Sequence, residues 1–279
     1  DHDMGVTHVI RGDDHLTNAF RQIQLFQALN WEMPTFAHIS LIHGPDGAKM
    51  SKRHGALGVD AYRDQGFLPE AVLNYLLRLG WSHGDDEIIS KEQAIEWFNL
   101  DSVGKSPARF DFDKLIALNS YYLRECAPDR LIDLILPSLS EYLGHDLTEI
   151  AAQRLFQGLP GLRERAKTLL ELSENSLFYA AERPISINEK ARKMIDVDGC
   201  HRLEFIRDGF AALDDWTEDA LESWVREFSK RTGIKMGKAA QPIRAAITGT
   251  TVSPSIFEVL VVLGREESLG RIADVINFE

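Results

Sequence analysis

The sequence predicts a multidomain chain in which one short parallel β-α-β unit is followed by a long array of helices. Three observations carry that reading. Residues 6–11, VTHVIR, are rich in β-branched side chains and run into Gly12-Asp13-Asp14; an amphipathic stretch follows over 16–29, and 36–42 reads as a second strand closed by the turn Gly44-Pro45-Asp46-Gly47. From Pro69 onward, helical spacing and helix caps replace strand signals. With 279 residues, 44% of them hydrophobic and 27% charged, the chain is long enough for roughly two domains with real cores.

Taken in order, the first helix is expected to be capped by Asp13 or Asp14 and to turn Leu16, Phe20, Ile23 and Phe26 to its apolar side. A β-α-β unit requires parallel pairing, and a parallel sheet needs more strands and more covering helices than residues 1–58 supply. That segment is therefore expected to expose apolar surface and to be less well ordered than the helical part. Pro69 takes the N1 place of a helix over 69–80, where its missing N–H costs nothing, and Gly80 closes it. Further helices are expected at 91–98, 111–124, 129–143, 147–157, 161–180, 188–196, 201–213, 217–231, 238–248, 254–264 and 268–276, several opened by caps at Asp111, Asp129, Thr217 and Ser253 with Pro254. There is no internal repeat or low-complexity segment. Soft boundaries fall near 58–59, 126–128 and 181–184, which divides the chain into 1–58, 59–126, 127–180 and 181–279.

Composition excludes several classes. No apolar run reaches the roughly 18 residues a membrane span needs, and the first residues form neither a basic region nor an apolar signal stretch, so a cytoplasmic protein without a membrane partner is expected. The two cysteines, Cys126 and Cys200, have no Cys or His at ligand spacing, which leaves no disulfide scaffold and no zinc site. A net charge of −12 argues against a surface that coats nucleic acid non-specifically. Residues 225–250 run against that balance: Arg226, Lys230, Arg231, Lys235, Lys238 and Arg244 face the single acid Glu227, a local net of +5. Six of the nine histidines (His2, His8, His15, His38, His43 and His54) precede residue 80, where glycine turns are also dense, which places the chemistry early. None has the H-x-x-x-H spacing of a helical metal site, so no metal-ligating set is expected.

The most specific string is Lys49-Met50-Ser51-Lys52-Arg53-His54-Gly55, following Gly44-Pro45-Asp46-Gly47. Two lysines flanking a serine on a glycine-bounded loop beside a parallel strand form a cationic arm that can fold over a polyphosphate and neutralise charge as a phosphate leaves. The word K-M-S-K-R in this setting resembles the signature loop of class I aminoacyl-tRNA synthetases. The segments MGVTHVIRGDDHLTNAFRQIQLFQALNW, FAHISLIHGPDGAKMSKRHG and GFLPEAVLNYLLRLGW are similar to the second half of the catalytic domain and the stem-contact region of the bacterial glutamyl-tRNA synthetase family. KSPARFDFDKLIALNSYYLR and IKMGKAAQPIRAAITGTTVSPSIFEVLVVLGRE resemble that family's later domains, so the resemblance covers essentially the whole chain.

The resemblance implies a residual part of a Rossmann-type catalytic domain (1–58), a mostly helical stem-contact region (59–126) and an all-α anticodon-binding cage in two subdomains (127–180 and 181–279). It implies that Arg11 contacts the side-chain carboxylate of L-glutamate, a task suited to the planar fork of a guanidinium. Asp14 and His15 would border the ATP ribose and the tRNA 3′ end, Leu41 and Ile42 would read adenine through the backbone, and Lys49, Ser51, Lys52 and Arg53 would stabilise the α-phosphate as pyrophosphate departs. Arg165, with Arg163 beside it, would read the third anticodon base; Lys238, Arg244 and Ser253 would meet the tRNA further on.

The implied activity is that of a glutamate–tRNA ligase: ATP, with Mg²⁺, activates glutamate as glutamyl-adenylate, and the acyl group passes to the terminal ribose of glutamate tRNA, the enzyme acting as a monomer. The family's H-x-G-H motif and acceptor-stem insertion are missing from this sequence, so the chain reads as the C-terminal portion of a longer enzyme, inactive by itself. A non-catalytic tRNA-binding module is the alternative of a different class. Glutaminyl-tRNA synthetase is disfavoured because it ends in β-barrels, and a glutamyl-queuosine paralogue because it stops before residues 127–279.

Overall fold

The computed structural model describes residues 1–50 and 58–277. The chain divides into two compact units, Asp1–Tyr122 and Leu123–Glu279. No helix among the described residues is long and apolar enough to cross a membrane.

In the first unit, β1 (His8–Gly12) and β2 (Thr35–Ile39) pair in parallel from His8↔Thr35 to Gly12↔Ile39. The crossover between them is a 3₁₀ turn (Asp13–His15) and α1 (Leu16–Ala28). This is the expected β-α-β unit. The caps differ from expectation: Asp13 and Asp14 lie inside the 3₁₀ turn, and α1 starts at His15 with no side-chain cap. The carboxylate of Asp14 is engaged elsewhere, by Lys49. The strand expected over 36–42 is two strands. β2 ends at Ile39, and β3 (Ile42–His43) pairs in parallel with β4 (Ala108–Arg109), the Ser40 hydroxyl donating to the Lys105 carbonyl at 2.6 Å where the partner changes.

A short helix that the sequence pattern did not mark, α2 (Val59–Asp64), precedes α3 (Pro69–Gly80), which has Pro69 in its first turn as expected. α4 (Lys91–Trp97) opens with a capping box between Ser90 and Gln93, and α5 (Phe112–Glu125) starts where Asp111 Oδ1 accepts from the Lys114 amide at 3.2 Å. Tyr62, Phe67, Val72, Tyr75, Phe110 and Leu115 form the unit's core, and Ile42 and Met50 pack on it. Asn74, buried on α3, accepts from the Ile89 amide and the Tyr122 hydroxyl and donates to the Glu87 carbonyl, tying residues 87–89 to the core. The uncovered apolar surface expected of residues 1–58 is present, with Ile10 48%, Phe20 63% and Leu25 60% exposed.

The second unit is all α: α6 (Pro128–Leu143), α7 (Glu149–Arg163), α8 (Leu169–Ala180), α9 (Glu189–Arg192), α10 (Val197–Ala211), α11 (Glu218–Thr232), α12 (Met236–Thr248), α13 (Ile256–Leu263) and α14 (Arg265–Ile276). Thr217 caps α11 as expected, accepting from the Ala220 amide at 3.3 Å. Asp129 caps nothing, because Ala127 holds the N-cap position and Pro128 the first turn. The start expected at Ser253 and Pro254 moves to Ser255, since the Ser253 hydroxyl is committed to Arg244 and the Pro254 carbonyl.

The expected division into 147–157 and 161–180 also shifts. α7 runs through Pro160 to Arg163, and the break falls before Thr168, which caps α8. Burial of Leu155, Leu159 and Leu162 along one side of α7 outweighs the lost hydrogen bond at the proline. Of the stretch 188–196 only Glu189–Arg192 is helical; Asp196 instead caps α10, accepting from the Gly199 amide at 2.7 Å.

Candidate functional site

In parallel α/β architecture, ligands bind where strands end and backbone and side chains fan out from the sheet. Arg11, next to last in β1, stands opposite His38 of β2. Its Nη2 donates to Gln22 Oε1 of α1 at 2.7 Å, its Nε lies 3.4 Å from His38 Nε2, and its guanidinium carbon sits 5.5 Å from the centre of the Phe36 ring. These contacts hold a half-buried cation by one edge of its fork, the Nε–Nη2 edge. The free end of the fork can pair with a planar anion. Nothing in the local sequence marked Gln22 and His38 as its supports, because their approach depends on the register of β1 against β2 and on where α1 lies.

Two residues beyond β1, Asp14 Oδ2 accepts from Lys49 Nζ at 2.5 Å. That hydrogen bond, with the lysine charge, holds the Asp14 carboxyl below the ordinary aspartate range. Gly12 permits the arrangement: a Cβ there would sit 2.6 Å from Asp14 Oδ1 and 3.2 Å from the Leu41 side chain. Lys49 is delivered by a tight hairpin, in which the Gly44 amide donates to Ala48, the Gly47 amide to Gly44 and the Met50 amide to Ile42. Gly47 has φ +79°, a left-handed conformation that favours glycine. The hairpin thus brings Leu41, Ile42 and Lys49 beside the turn that carries Asp14. His15 is exposed and contacts Asn18 at 3.3 Å. Ser51, Lys52 and Arg53 lie outside the described residues.

The second group of sequence-derived candidates lies in the helical unit. Arg163 is the last residue of α7, and Arg165 is exposed just beyond it. Arg244 on α12 is half-buried and donates to the Ser253 hydroxyl, the Ser253 carbonyl and the Pro254 carbonyl. Burial, with the charge of Arg165 adding to it, pulls the Arg244 guanidinium below its ordinary range. Ser253 is 6% exposed. Arg244 and Ser253 therefore hold the turn ahead of α13, with their polar groups directed at each other. Lys238 is exposed in the first turn of α12, and Arg226 of the same basic stretch is paired with Glu222 at 2.5 Å.

Comparison with known proteins divides the chain in a similar way. Residues 1–117 match the family model described as tRNA synthetases class I (E and Q), catalytic domain, and residues 130–276 match the anticodon binding domain. A glutamate–tRNA ligase 2 of Paramagnetospirillum magneticum is 62% identical over 99% of this chain, and one of Rhodospirillum rubrum is 59% identical over 98%. The chain spans 58% of the length of either relative. A crystal structure of a glutamate tRNA ligase from Elizabethkingia meningosepticum, in complex with its amino acid, superposes with a TM-score of 0.80 at 28% identity, covering 99% of this chain and 58% of that one. The glutamate-tRNA synthetase of Elizabethkingia anophelis gives a TM-score of 0.76.

Proposed function

Because this chain belongs to the class I tRNA synthetases of the E and Q type and carries their anticodon-binding domain, we propose that it supplies part of the active site and the anticodon-reading unit of a glutamate–tRNA ligase. The observation that carries the reading is the Asp14–Lys49 contact, made between the turn after β1 and the 42–50 hairpin, at the C-terminal end of the strand that also carries Arg11. In the reaction, the α-carboxylate of glutamate attacks the α-phosphate of ATP and pyrophosphate leaves; a terminal ribose hydroxyl of glutamate tRNA then attacks the adenylate carbonyl and AMP leaves.

Arg11 pairs with the side-chain carboxylate of glutamate through the free end of its fork. Asp14 and His15 border the ribose and the tRNA 3′ end, and Leu41 and Ile42 lie along the adenine. Lys49, with Ser51, Lys52 and Arg53, offsets the charge that develops as pyrophosphate departs, so the chemistry is positioning and electrostatic stabilisation. Mg²⁺ would enter with ATP, held by the phosphate oxygens and water; among the described residues there is no group of three or more His, Cys, Asp or Glu disposed to hold a metal ion.

In the helical unit, Arg165 reads the third anticodon base with Arg163 beside it, Lys238 meets phosphate, and Arg244 with Ser253 keeps the neighbouring turn in place. The functional division follows 1–58, 59–126, 127–180 and 181–279, and the enzyme works in the cytoplasm as a monomer. Activation requires residues that the relatives carry outside the aligned 58%.

The test pairs two measurements on the 279-residue chain. It is expected to bind glutamate tRNA at low salt and to show no glutamate-dependent ATP–pyrophosphate exchange. Exchange near the level of an intact relative would overturn the division of the active site, and no tRNA binding at low salt would overturn the anticodon reading. If the chain binds tRNA but shows no exchange even when joined to the remaining catalytic residues of a relative, it is a non-catalytic tRNA-binding module.

A further inference from the structure

In the second unit, α7 ends against the first turn of α13. Gly161, in the last turn of α7, faces Glu258 so closely that a Cβ at 161 would collide with both carboxylate oxygens. The glutamate side chain therefore occupies a notch that exists because residue 161 has no side chain. Beyond Gly161 the backbone continues on a helical path, with the Arg165 and Ala166 amides donating to the Leu162 carbonyl at 3.1 and 3.2 Å. Arg165 thus stands about one turn on from the notch, just beyond the end of α7.

The charge of Arg165 is felt by both Glu258 and the Arg244 guanidinium. Two cations share this corner, and one of them, Arg244, is tethered to Ser253 and Pro254. Without a counter-charge, repulsion would drive the exposed Arg165 side chain outward. Glu258 is the part-buried acid that feels its charge, while Glu164, next along the chain, is exposed; the other neighbours of Glu258 are Glu218 of α11 and the buried phenol of Tyr179 on α8.

We propose that Glu258, seated in the Gly161 notch, is a positioning residue that holds Arg165 in the orientation from which its guanidinium reads the anticodon base. The inference rests on the assignment of Arg165 given above. Its role follows from place: the carboxylate is half-buried between helices, so it moves little, whereas the arginine it faces is exposed and would otherwise sample many rotamers. An arginine that reads a base must keep its planar fork aligned, and a fixed counter-charge one turn away does so without occupying the end of the fork.

The experiment is a binding titration of the full chain against glutamate tRNA and the same tRNA altered only at the third anticodon base. The parent is expected to discriminate by roughly tenfold or more, as a bidentate arginine–base contact provides. Arg165→Gln should bring the ratio near one. Glu258→Gln should lower it by at least about threefold while leaving the weaker-binding tRNA unchanged, and Gly161→Ala, which displaces the carboxylate without changing any charge, should do the same.

Glu258 also has its carboxyl raised by burial, with Glu218 adding to that and Arg165 and the Gly161 amide opposing it. As pH falls and this carboxyl takes up a proton, the parent should lose discrimination while Glu258→Gln stays flat. That readout would not move for a residue that only packs α7 on α13, and it stands even if Glu258→Gln fails to fold. If Arg165→Gln leaves the ratio unchanged, the reading of Arg165 fails. If Arg165→Gln abolishes discrimination while Glu258→Gln, Gly161→Ala and acidification leave it intact, the role of Glu258 is overturned and the reading of Arg165 stands.

Discussion

Gly158 of α7 lies directly under the ring of Tyr179 of α8, so close that a Cβ at 158 would overlap the ring edge and the hydroxyl oxygen. The glycine lets the two helices approach, and the phenol that fills the space has a buried hydroxyl without a hydrogen-bond partner among the described residues. Gly158→Ala is expected to cost about 1–3 kcal/mol through overpacking. Tyr179→Phe is expected to be neutral or stabilising by up to about 1 kcal/mol, because it removes a buried polar group that has no bond to lose. Urea unfolding of both variants decides; a strongly destabilised Tyr179→Phe would mean that the hydroxyl is bonded. Burial, with Glu258 and Glu218 adding to it, pushes this phenol far above the ordinary tyrosine range, so it should also stay protonated when the exposed tyrosines ionise.

Arg271 on α14 is 1% exposed and donates to Glu267, to the carbonyls of Phe178 and Ile247 at 2.7 Å each, and to that of Ala181 at 3.1 Å. It joins the ends of α8, α12 and α14 through one cation. Arg271→Met should destabilise the helical unit by about 3–5 kcal/mol, since it strands three carbonyls and takes from the part-buried Glu267 its nearer cation. The loss should fall toward the lower end because Glu267 retains Arg154 at 3.4 Å. Denaturant unfolding followed by helical circular dichroism measures this, and a shift below about 1 kcal/mol would show that the guanidinium is replaceable by apolar volume.

The Asp14–Lys49 pair makes a pH prediction. The folded-state value of Asp14 is depressed, so whatever the pair contributes is present above the unfolded aspartate value and disappears as pH falls through the depressed value. A carboxyl-carbon NMR titration should find Asp14 ionising below the exposed aspartates, and Lys49→Met should bring it back among them. An unchanged Asp14 in Lys49→Met would mean that the hairpin and the turn do not meet in solution.

Lys238 is exposed in the first turn of α12, where the proposed function has it meet phosphate. Lys238→Ala should weaken binding of every tRNA about equally and reduce the salt slope by about one, the behaviour of a phosphate contact. A change in preference between tRNAs would instead make Lys238 a reader of sequence.

Much of the architecture was legible residue by residue. The β-branched 6–11 stretch, the apolar spacing of 16–29, Pro69 in the first turn of α3 and Thr217 ahead of α11 are local signals, and each works over a few residues of chain. The K-M-S-K-R word pointed to the family by resemblance, and the family models match the chain over 1–117 and 130–276. What failed to read correctly were choices between partners. Residues 36–42 have continuous strand character, yet pairing changes at Ser40 because β4 lies at 108–109, a two-residue strand with no signal of its own. A break is expected between 157 and 161, yet α7 passes through it, Pro160 included, because Leu155, Leu159 and Leu162 are buried together.

By itself, then, the sequence determined the order of elements, the division into a β-α-β start and a helical remainder, and where charged side chains gather along the chain, because periodicity, caps and charge are properties of neighbours along the chain. Tertiary structure alone decided which groups remain free to act. Asp14 could have capped α1 but meets Lys49; Ser253 could have capped α13 but bonds to Arg244; Gln22 and His38 take one edge of Arg11 and leave the other open. The physical reason is that these polar side chains bond to whatever packing brings within about 3 Å, and that neighbour is set by how the elements fold back on one another.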